Sequence, residues 1–149
     1  MTIRLCTEED YDQILEVSLA FHEESIYSNY VFDEGKLAEL FMLSLEEPNK
    51  YLCLVAEKED NIVGLLFAIA TELPLYTTVT TMEVAWYVLP EFRKTKLAIH
   101  LLKSYEYWSA NIVKADLCQM GSSVKPDLTN LYKRHRYSCT EKIFLKENN

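Results

Sequence analysis

The 149-residue chain has few glycines, no long apolar run and no clustered metal-ligating residues. Its three glycines, at positions 35, 64 and 121, leave few points where the backbone can adopt positive φ without strain. The absence of an apolar run of about 18 residues argues against a membrane span. Residues 1–4 lack the pattern of a signal peptide, so a cytoplasmic location is expected. The scattered cysteines predict buried free thiols rather than a disulfide framework or zinc site: Cys6, Cys53, Cys118 and Cys139.

Charge is distributed unevenly along the chain. The net charge of −8 argues against general nucleic-acid binding. Residues 1–89 contain 17 acidic and 4 basic side chains, whereas residues 90–136 contain 9 basic and 4 acidic ones. An anionic ligand is therefore expected at the basic stretch.

Hydrophobic periodicity predicts one mixed α/β domain over residues 1–149, with elements in the order β-α-α-β-β-β-α-β-α-β. The strand, helix and strand within residues 79–120 should form a right-handed parallel unit in an otherwise antiparallel sheet, giving a three-layer fold. The predicted strands are 3–6, 51–57, 62–71, 79–89, 115–120 and 139–146, and the predicted helices begin near 7, 33, 98 and 126, the second stopping at Pro48. A polar turn at Glu59-Asp60-Asn61 predicts an antiparallel hairpin between the second and third strands. The third helix carries an apolar stripe that includes Tyr105 and Ser109 and reaches Ile112.

The first candidate site is the basic turn between the strand ending near Leu89 and the following helix. Amides at a helix start, together with the helix dipole, bind anions. Arg93, Lys94 and Lys96 lie there, although cations at a helix start are disfavoured by the dipole. A phosphate among them would explain this placement, and a solvated basic turn is the alternative.

Glu83 is the second candidate, a carboxylate midway along an apolar strand. Strict alternation puts Thr81, Glu83, Ala85 and Tyr87 on one face of that strand. Near a sheet centre the pKa of this carboxyl can rise, and Glu83 can act as a general base directly or through water. A solvated residue on an open sheet face is the alternative.

Two further sets of residues, Tyr132 and an acidic segment, give less specific indications of function. Tyr132 can donate a proton to a leaving group, but an aromatic residue on a helix is more often part of a core. An acidic segment near the junction of the first two helices can attract a cationic amine or serve solubility alone; it includes Glu23, Glu24, Asp33 and Glu34.

Together these features resemble the GNAT superfamily of acyl-coenzyme A-dependent N-acetyltransferases. The resemblance covers nearly the whole chain and includes the Glu-bearing strand, Val88-x-Pro90-Glu91-x-Arg93 and Leu131-Tyr132-Lys133-Arg134-His135-Arg136-Tyr137. The stretch from Phe21 to Tyr27, followed by Phe32-Asp33, is similar to small GNAT proteins of bacteriophages.

The resemblance implies acetyl-coenzyme A as cosubstrate and a primary amine, on a small molecule or a protein, as acceptor. Glu83 would deprotonate the amine and Tyr132 would protonate the departing thiolate. The pantetheine arm would lie near Trp86 and Val88. The pyrophosphate would bind at Arg93, Lys94, Thr95, Lys96, Leu97 and Ala98, and the acceptor at Glu23, Glu24, Tyr27 and Asp33. Many members of the family pair as dimers, so the resemblance allows a homodimer, while the sequence itself does not fix the oligomeric state.

Two departures from the family pattern leave alternatives open. Lys96 replaces the first glycine of the family loop, and Arg136 replaces a glycine before the last aromatic residue. If position 96 required positive φ, the loop would be deformed and its affinity for coenzyme A reduced. The alternative function is therefore a GNAT-fold binding protein without catalysis, such as a phage protein that engages a host factor. A nucleic-acid binder using residues 93–136 ranks last.

Overall fold

The computed structural model describes residues 1–148, which form five strands and four α-helices. The strands are Thr2–Leu5 (β1), Tyr51–Lys58 (β2), Asn61–Glu72 (β3), Val79–Val88 (β4) and Leu117–Gln119 (β5). The helices are Tyr11–Glu24 (α1), Glu34–Glu46 (α2), Leu97–Tyr107 (α3) and Thr129–Arg134 (α4). The predicted mixed α/β class is confirmed.

One sheet with the strand order β1-β2-β3-β4-β5 organises residues 1–119. All neighbours pair antiparallel except β4 and β5, which are parallel, as the strand-helix-strand pattern predicts. A polar turn at Glu59 and Asp60 joins β2 to β3, and both residues adopt positive φ. The tight hairpin expected there is therefore present.

Each face of the sheet is covered by helices. Helices α1 and α2 place Ile14, Val17, Leu37 and Phe41 against one face. Helix α3 buries Leu97, Leu101, Leu102 and Tyr105 on the other. Because side chains alternate along a strand, the interior of β2 and β3 supplies apolar side chains to both cores. The result is a three-layer arrangement of helices, sheet and helix.

The chain forms two compact units, Met1–Gln119 and the residues from Met120 onward. Helix α4 lies in the second unit, and the sheet lies in the first. No helix among residues 1–148 is both long enough and apolar enough to cross a membrane.

Three expectations about element ends were wrong for local reasons. Strand β5 begins at Leu117 rather than 115, because the Ala115 amide donates to the Ser109 carbonyl at 3.0 Å. The apolar stripe expected to continue as one helix to residue 112 instead passes from α3 into a π-helical segment, Trp108–Val113. Helix α4 begins at Thr129 rather than near 126, because Asp127 accepts the Thr129 amide at 2.9 Å and forms a turn before the helix.

The expected closing strand at residues 139–146 is absent from the described chain. Ile143 and Phe144 are 82% and 89% exposed. Alternating apolar residues form a strand only where a neighbouring backbone supplies hydrogen bonds, so the pattern alone does not decide the structure. Cys139 is exposed and Cys118 is partly exposed, so the prediction of buried thiols is right for Cys6 and Cys53 and wrong for Cys139.

Candidate functional site

Strands β4 and β5 separate midway along β4. The last pair between them joins Met82 to Gln119, and β4 continues for six more residues, from Glu83 to Val88. Glu83 is thus the first residue beyond the paired region. Beyond this point no strand in residues 1–148 pairs with the β5-side edge of β4.

A β-bulge lies at the same point of β4. Ala85 pairs with Phe67 and Glu83 pairs with Ala68, so Val84 is an additional residue with no counterpart in β3. A bulge reverses the alternation of side chains on either side of it. The expectation that Glu83, Ala85 and Tyr87 share a face is therefore wrong.

Contacts on both sides of the bulge agree with this reversal. Before it, Thr81 contacts residues that belong to the α3 side of the sheet, Tyr105 and Ser109. After it, Ala85 and Tyr87 belong to the core formed with α1 and α2. Glu83 pairs with Ala68 on the α3 side and is partly exposed.

A buried network of hydroxyl groups lies beside Glu83. The Thr81 Oγ1 and Ser109 Oγ atoms are 2.6 Å apart, and the Tyr105 hydroxyl lies 3.1 Å from Thr81 Oγ1 and 2.8 Å from the Gln119 carbonyl oxygen. Burial raises the pKa of Tyr105, with smaller contributions from Cys118 and then the Glu83 carboxylate, so its hydroxyl stays protonated at neutral pH. Periodicity identified Tyr105 and Ser109 only as members of an apolar helix face, and their polar contacts were missed.

The turn after β4 is built without left-handed residues. Lys96 has φ −85° and ψ 4°, and none of the positive-φ residues found in residues 1–148 lies between Leu89 and Leu97. Thr95 Oγ1 donates to the Phe92 carbonyl at 2.6 Å and accepts the Leu97 amide at 3.3 Å. The missing glycines therefore do not deform this turn.

The start of α3 offers amides to an anion. The first amides of a helix have no acceptor within the helix. Thr95 accepts the amide of Leu97, the first helical residue, and the amides of Ala98 and Ile99 follow it. Lys94 and Lys96 are exposed beside them. This turn can accept a phosphate group through amides and lysines.

The Arg93 guanidinium is bonded to groups outside the start of α3. Its Nε donates to the Val88 carbonyl at 2.8 Å, and its Nη2 lies 2.9 and 2.8 Å from the two carboxylate oxygens of Glu24. Tyr87 also donates to Glu24, at 2.5 Å. Two residues expected at different sites, Arg93 at the cosubstrate turn and Glu24 at the acceptor side, are thus bonded to each other.

The remaining acidic candidates lie near the end of α1 and the start of α2. Glu23 and Tyr27 are exposed, and the Tyr27 ring is 6.2 Å from that of Tyr30. Asp33 is exposed and accepts the Lys36 amide at 3.1 Å, so its carboxylate caps α2. This capping role agrees with the helix start expected at Asp33.

Tyr132 belongs to the second unit and is buried within α4. Its hydroxyl donates to the Gly121 carbonyl, and its ring lies 5.5 Å from that of Tyr137. Arg136 adopts φ 67°, so the position at which the family has glycine does use left-handed backbone here. Among residues 1–148 no group of three or more His, Cys, Asp or Glu side chains could hold a metal ion.

No protein-family model matches the chain, and no curated protein matches it. Several solved structures, however, are similar to the chain. An aminoglycoside 6'-N-acetyltransferase, AAC(6')-IG from Acinetobacter haemolyticus, is 19% identical over 100% of this chain and 99% of its own, with a TM-score of 0.72. AAC(6')-Iy in complex with the bisubstrate analog CoA-S-monomethyl-acetylneamine is 16% identical over 99% and 97%, with a TM-score of 0.73. The ribosomal-protein-alanine N-acetyltransferase of Brucella melitensis biovar Abortus 2308 is 14% identical over 99% and 100%, also at 0.73.

The chain has a GNAT-like fold. At these identities the likeness establishes the architecture and does not select an acceptor. The neighbours themselves differ in this respect, since the name of one specifies an aminoglycoside and the name of another specifies a ribosomal-protein alanine. A more specific assignment depends on the chemistry of the chain's own residues.

Proposed function

We propose that the protein is an N-acetyltransferase that uses acetyl-coenzyme A to acetylate a primary amine. The observation that carries this proposal is the separation of β4 from β5 at Glu83, because it brings an open strand edge and a carboxylate together. The turn between Leu89 and Leu97 adds lysines and helix-start amides along the same strand-to-helix connection. An acyl donor with an anionic end and an extended arm matches this arrangement.

The cosubstrate would lie along these elements in extended form. Its pyrophosphate would accept hydrogen bonds from amides near Leu97 and Ala98 and interact with Lys94, Thr95 and Lys96. The pantetheine arm would follow the edge of β4 near Trp86 and Val88. A backbone amide at that edge can stabilise the negative charge that develops on the thioester oxygen.

Glu83 would take the proton of the attacking amine, directly or through a water molecule. The amine would approach the partly exposed Glu83 carboxylate beyond the last pair between β4 and β5. Tyr132 would supply a proton to the departing thiolate, a role that rests on the family resemblance. The exposed acidic residues Glu23 and Asp33, with Tyr27, would attract a cationic acceptor before it reacts.

Calorimetry with acetyl-coenzyme A tests donor binding, and a panel of amines tests transfer. The panel contains an aminoglycoside, a polyamine and peptides with a free N-terminus or a lysine, because the neighbours' names include both small-molecule and protein acceptors. Absence of donor binding at millimolar concentration would overturn the proposal. A homodimer, a bacteriophage source and a cytoplasmic location remain predictions.

The variant Glu83→Gln tests the chemical step. General-base catalysis contributes about 10²–10⁴-fold, so we expect kcat to fall by at least about 10²-fold while the affinity for acetyl-coenzyme A is unchanged. Glu72→Gln is the control, because it removes an exposed carboxylate from the end of β3. Equal turnover by Glu83→Gln and the wild type would contradict the role of Glu83 as base.

A further inference from the structure

Three side chains from separate parts of the first unit form a cluster beside the turn that follows β4. Glu24 is the last residue of α1, Tyr87 lies near the end of β4, and Arg93 lies within the turn. The Glu24 carboxylate contacts both other residues, and the Arg93 Cζ atom lies 5.1 Å from the centre of the Tyr87 ring. The cluster therefore connects the end of α1 to the turn.

Arg93 also connects the turn to the end of β4. Its Nε donates to the Val88 carbonyl at 2.8 Å, which spans the residues between the strand and the helix. With Nε on Val88, Nη2 on Glu24 and one face over Tyr87, the guanidinium is fixed from three sides. A guanidinium held in this way has limited freedom to reach a phosphate, but it can fix the path of the turn.

We propose that Glu24 is a positioning residue that acts through Arg93 to hold the turn between Leu89 and Leu97 in its binding orientation. This inference rests on the proposed function. Arg93 then contributes to acyl-donor binding by orienting the amides at the start of α3, not by contacting the phosphates with its side chain. Glu24 is correspondingly a structural support of the donor site and not a ligand of the amine.

The protonation states support a stable ion pair at neutral pH. The hydrogen bond from Tyr87, followed by Arg93, lowers the pKa of Glu24. Burial, followed by the hydrogen bond to Glu24, raises the pKa of Tyr87 to about 12. Tyr87 thus remains a donor and Glu24 a charged acceptor over the range in which the protein would be assayed.

The variant Glu24→Gln distinguishes positioning from direct phosphate contact, because the two roles predict opposite signs. If Glu24 positions the turn, loss of its charge weakens coenzyme A binding, by about two- to fivefold for a half-exposed ion pair. If Arg93 swings out to bind phosphate, the same variant releases Arg93 and tightens binding. Calorimetry with coenzyme A measures the sign, and an affinity equal to or tighter than that of the charge control Glu16→Gln would overturn the inference.

Glu16→Gln is the matched control. Glu16 is an exposed residue of α1, so the variant removes the same charge from the same helix. Any general effect of charge on an anionic ligand appears in both variants, and only their difference reports on the pairing with Arg93. We expect Glu24→Gln to change the KM for acetyl-coenzyme A and leave kcat unchanged.

Hydrogen exchange in the absence of ligand separates this inference from the proposed function. The Phe92 and Thr95 amides donate to the Leu89 and Phe92 carbonyls within the turn, at 2.9 and 3.1 Å. We expect them to exchange about two- to fivefold faster in Glu24→Gln than in Glu16→Gln. Equal exchange would overturn the positioning role. If coenzyme A does not bind the wild type, the proposed function fails, and exchange alone decides the role of Glu24.

Discussion

Gly64 on β3 lies against the end of β4, where no room exists for a side chain. A Cβ atom at this position would lie 2.9 Å from the Tyr87 carbonyl oxygen, 3.0 Å from Val88 Cγ2 and 3.3 Å from Val88 Cα. The first and last of these atoms belong to the backbone, so a rotamer change cannot relieve the contact. The backbone of Gly64 does not have positive φ, so glycine is needed here for space and not for conformational freedom.

We therefore expect Gly64→Ala to destabilise the protein. Overpacking costs about 1–3 kcal/mol, and alanine recovers about 0.5–1 kcal/mol of the conformational penalty of glycine. The expected net loss is about 1–2 kcal/mol in the free energy of unfolding, measured by urea denaturation with an unchanged m value. A displaced Val88 would also disturb the carbonyl that accepts Arg93, so coenzyme A affinity should fall as well.

Gly35→Ala is the control for this experiment. Gly35 is near the start of α2, and its added Cβ would meet only a side-chain oxygen of Asp33, at 3.1 Å. A small shift of that carboxylate offsets the gain of about 1 kcal/mol in helix propensity, so the net change should stay within about 1 kcal/mol. If Gly64→Ala were as stable as the wild type, the argument from close backbone approach would be refuted.

Two further predictions concern charge and backbone strain. Arg4 donates to both carboxylate oxygens of Asp10 and lowers the pKa of Asp10 below its unfolded value. The ion pair therefore stabilises the fold fully above about pH 4, and this contribution is lost as the pH falls through the folded pKa. Acid unfolding of Asp10→Asn and of the wild type tests this, and an equally steep loss of stability in the variant below about pH 4 would contradict it. Arg136→Gly should raise the thermal midpoint, because the relief of about 1–2 kcal/mol of left-handed strain exceeds the entropy cost of glycine, about 0.5–1 kcal/mol. Arg134→Gly, at the last residue of α4, should instead lower the midpoint through the loss of up to about 1 kcal/mol of helix propensity. A shift of the same sign in both variants would contradict the argument from left-handed strain at Arg136.

The elements of residues 1–107 were predictable because their signals are local. Period-two and period-3.6 patterns, the capping carboxylate of Asp33 and the Glu59-Asp60 turn agree with one another, so the predicted ends of β2, β3 and α2 differ from the structure by at most one or two residues. The contact between Glu24 and Arg93 was not predictable, because it joins residues 69 apart in sequence. Charge type alone assigned the two residues to separate sites.

The bulge in β4 explains why the strand can supply both a core and a partly exposed carboxylate. In a regular strand, Glu83 would share a face with Ala85 and Tyr87 and would be directed into the apolar core of α1 and α2, where an ionised group is costly. The additional residue Val84 reverses the alternation at this point, so Ala85 and Tyr87 remain buried while Glu83 faces the α3 side at the edge where β5 ends. The bulge thus keeps the apolar residues of β4 in the core and leaves the Glu83 carboxylate partly exposed on the same strand. Bulges are over-represented beside active sites, where they redirect a side chain in this way.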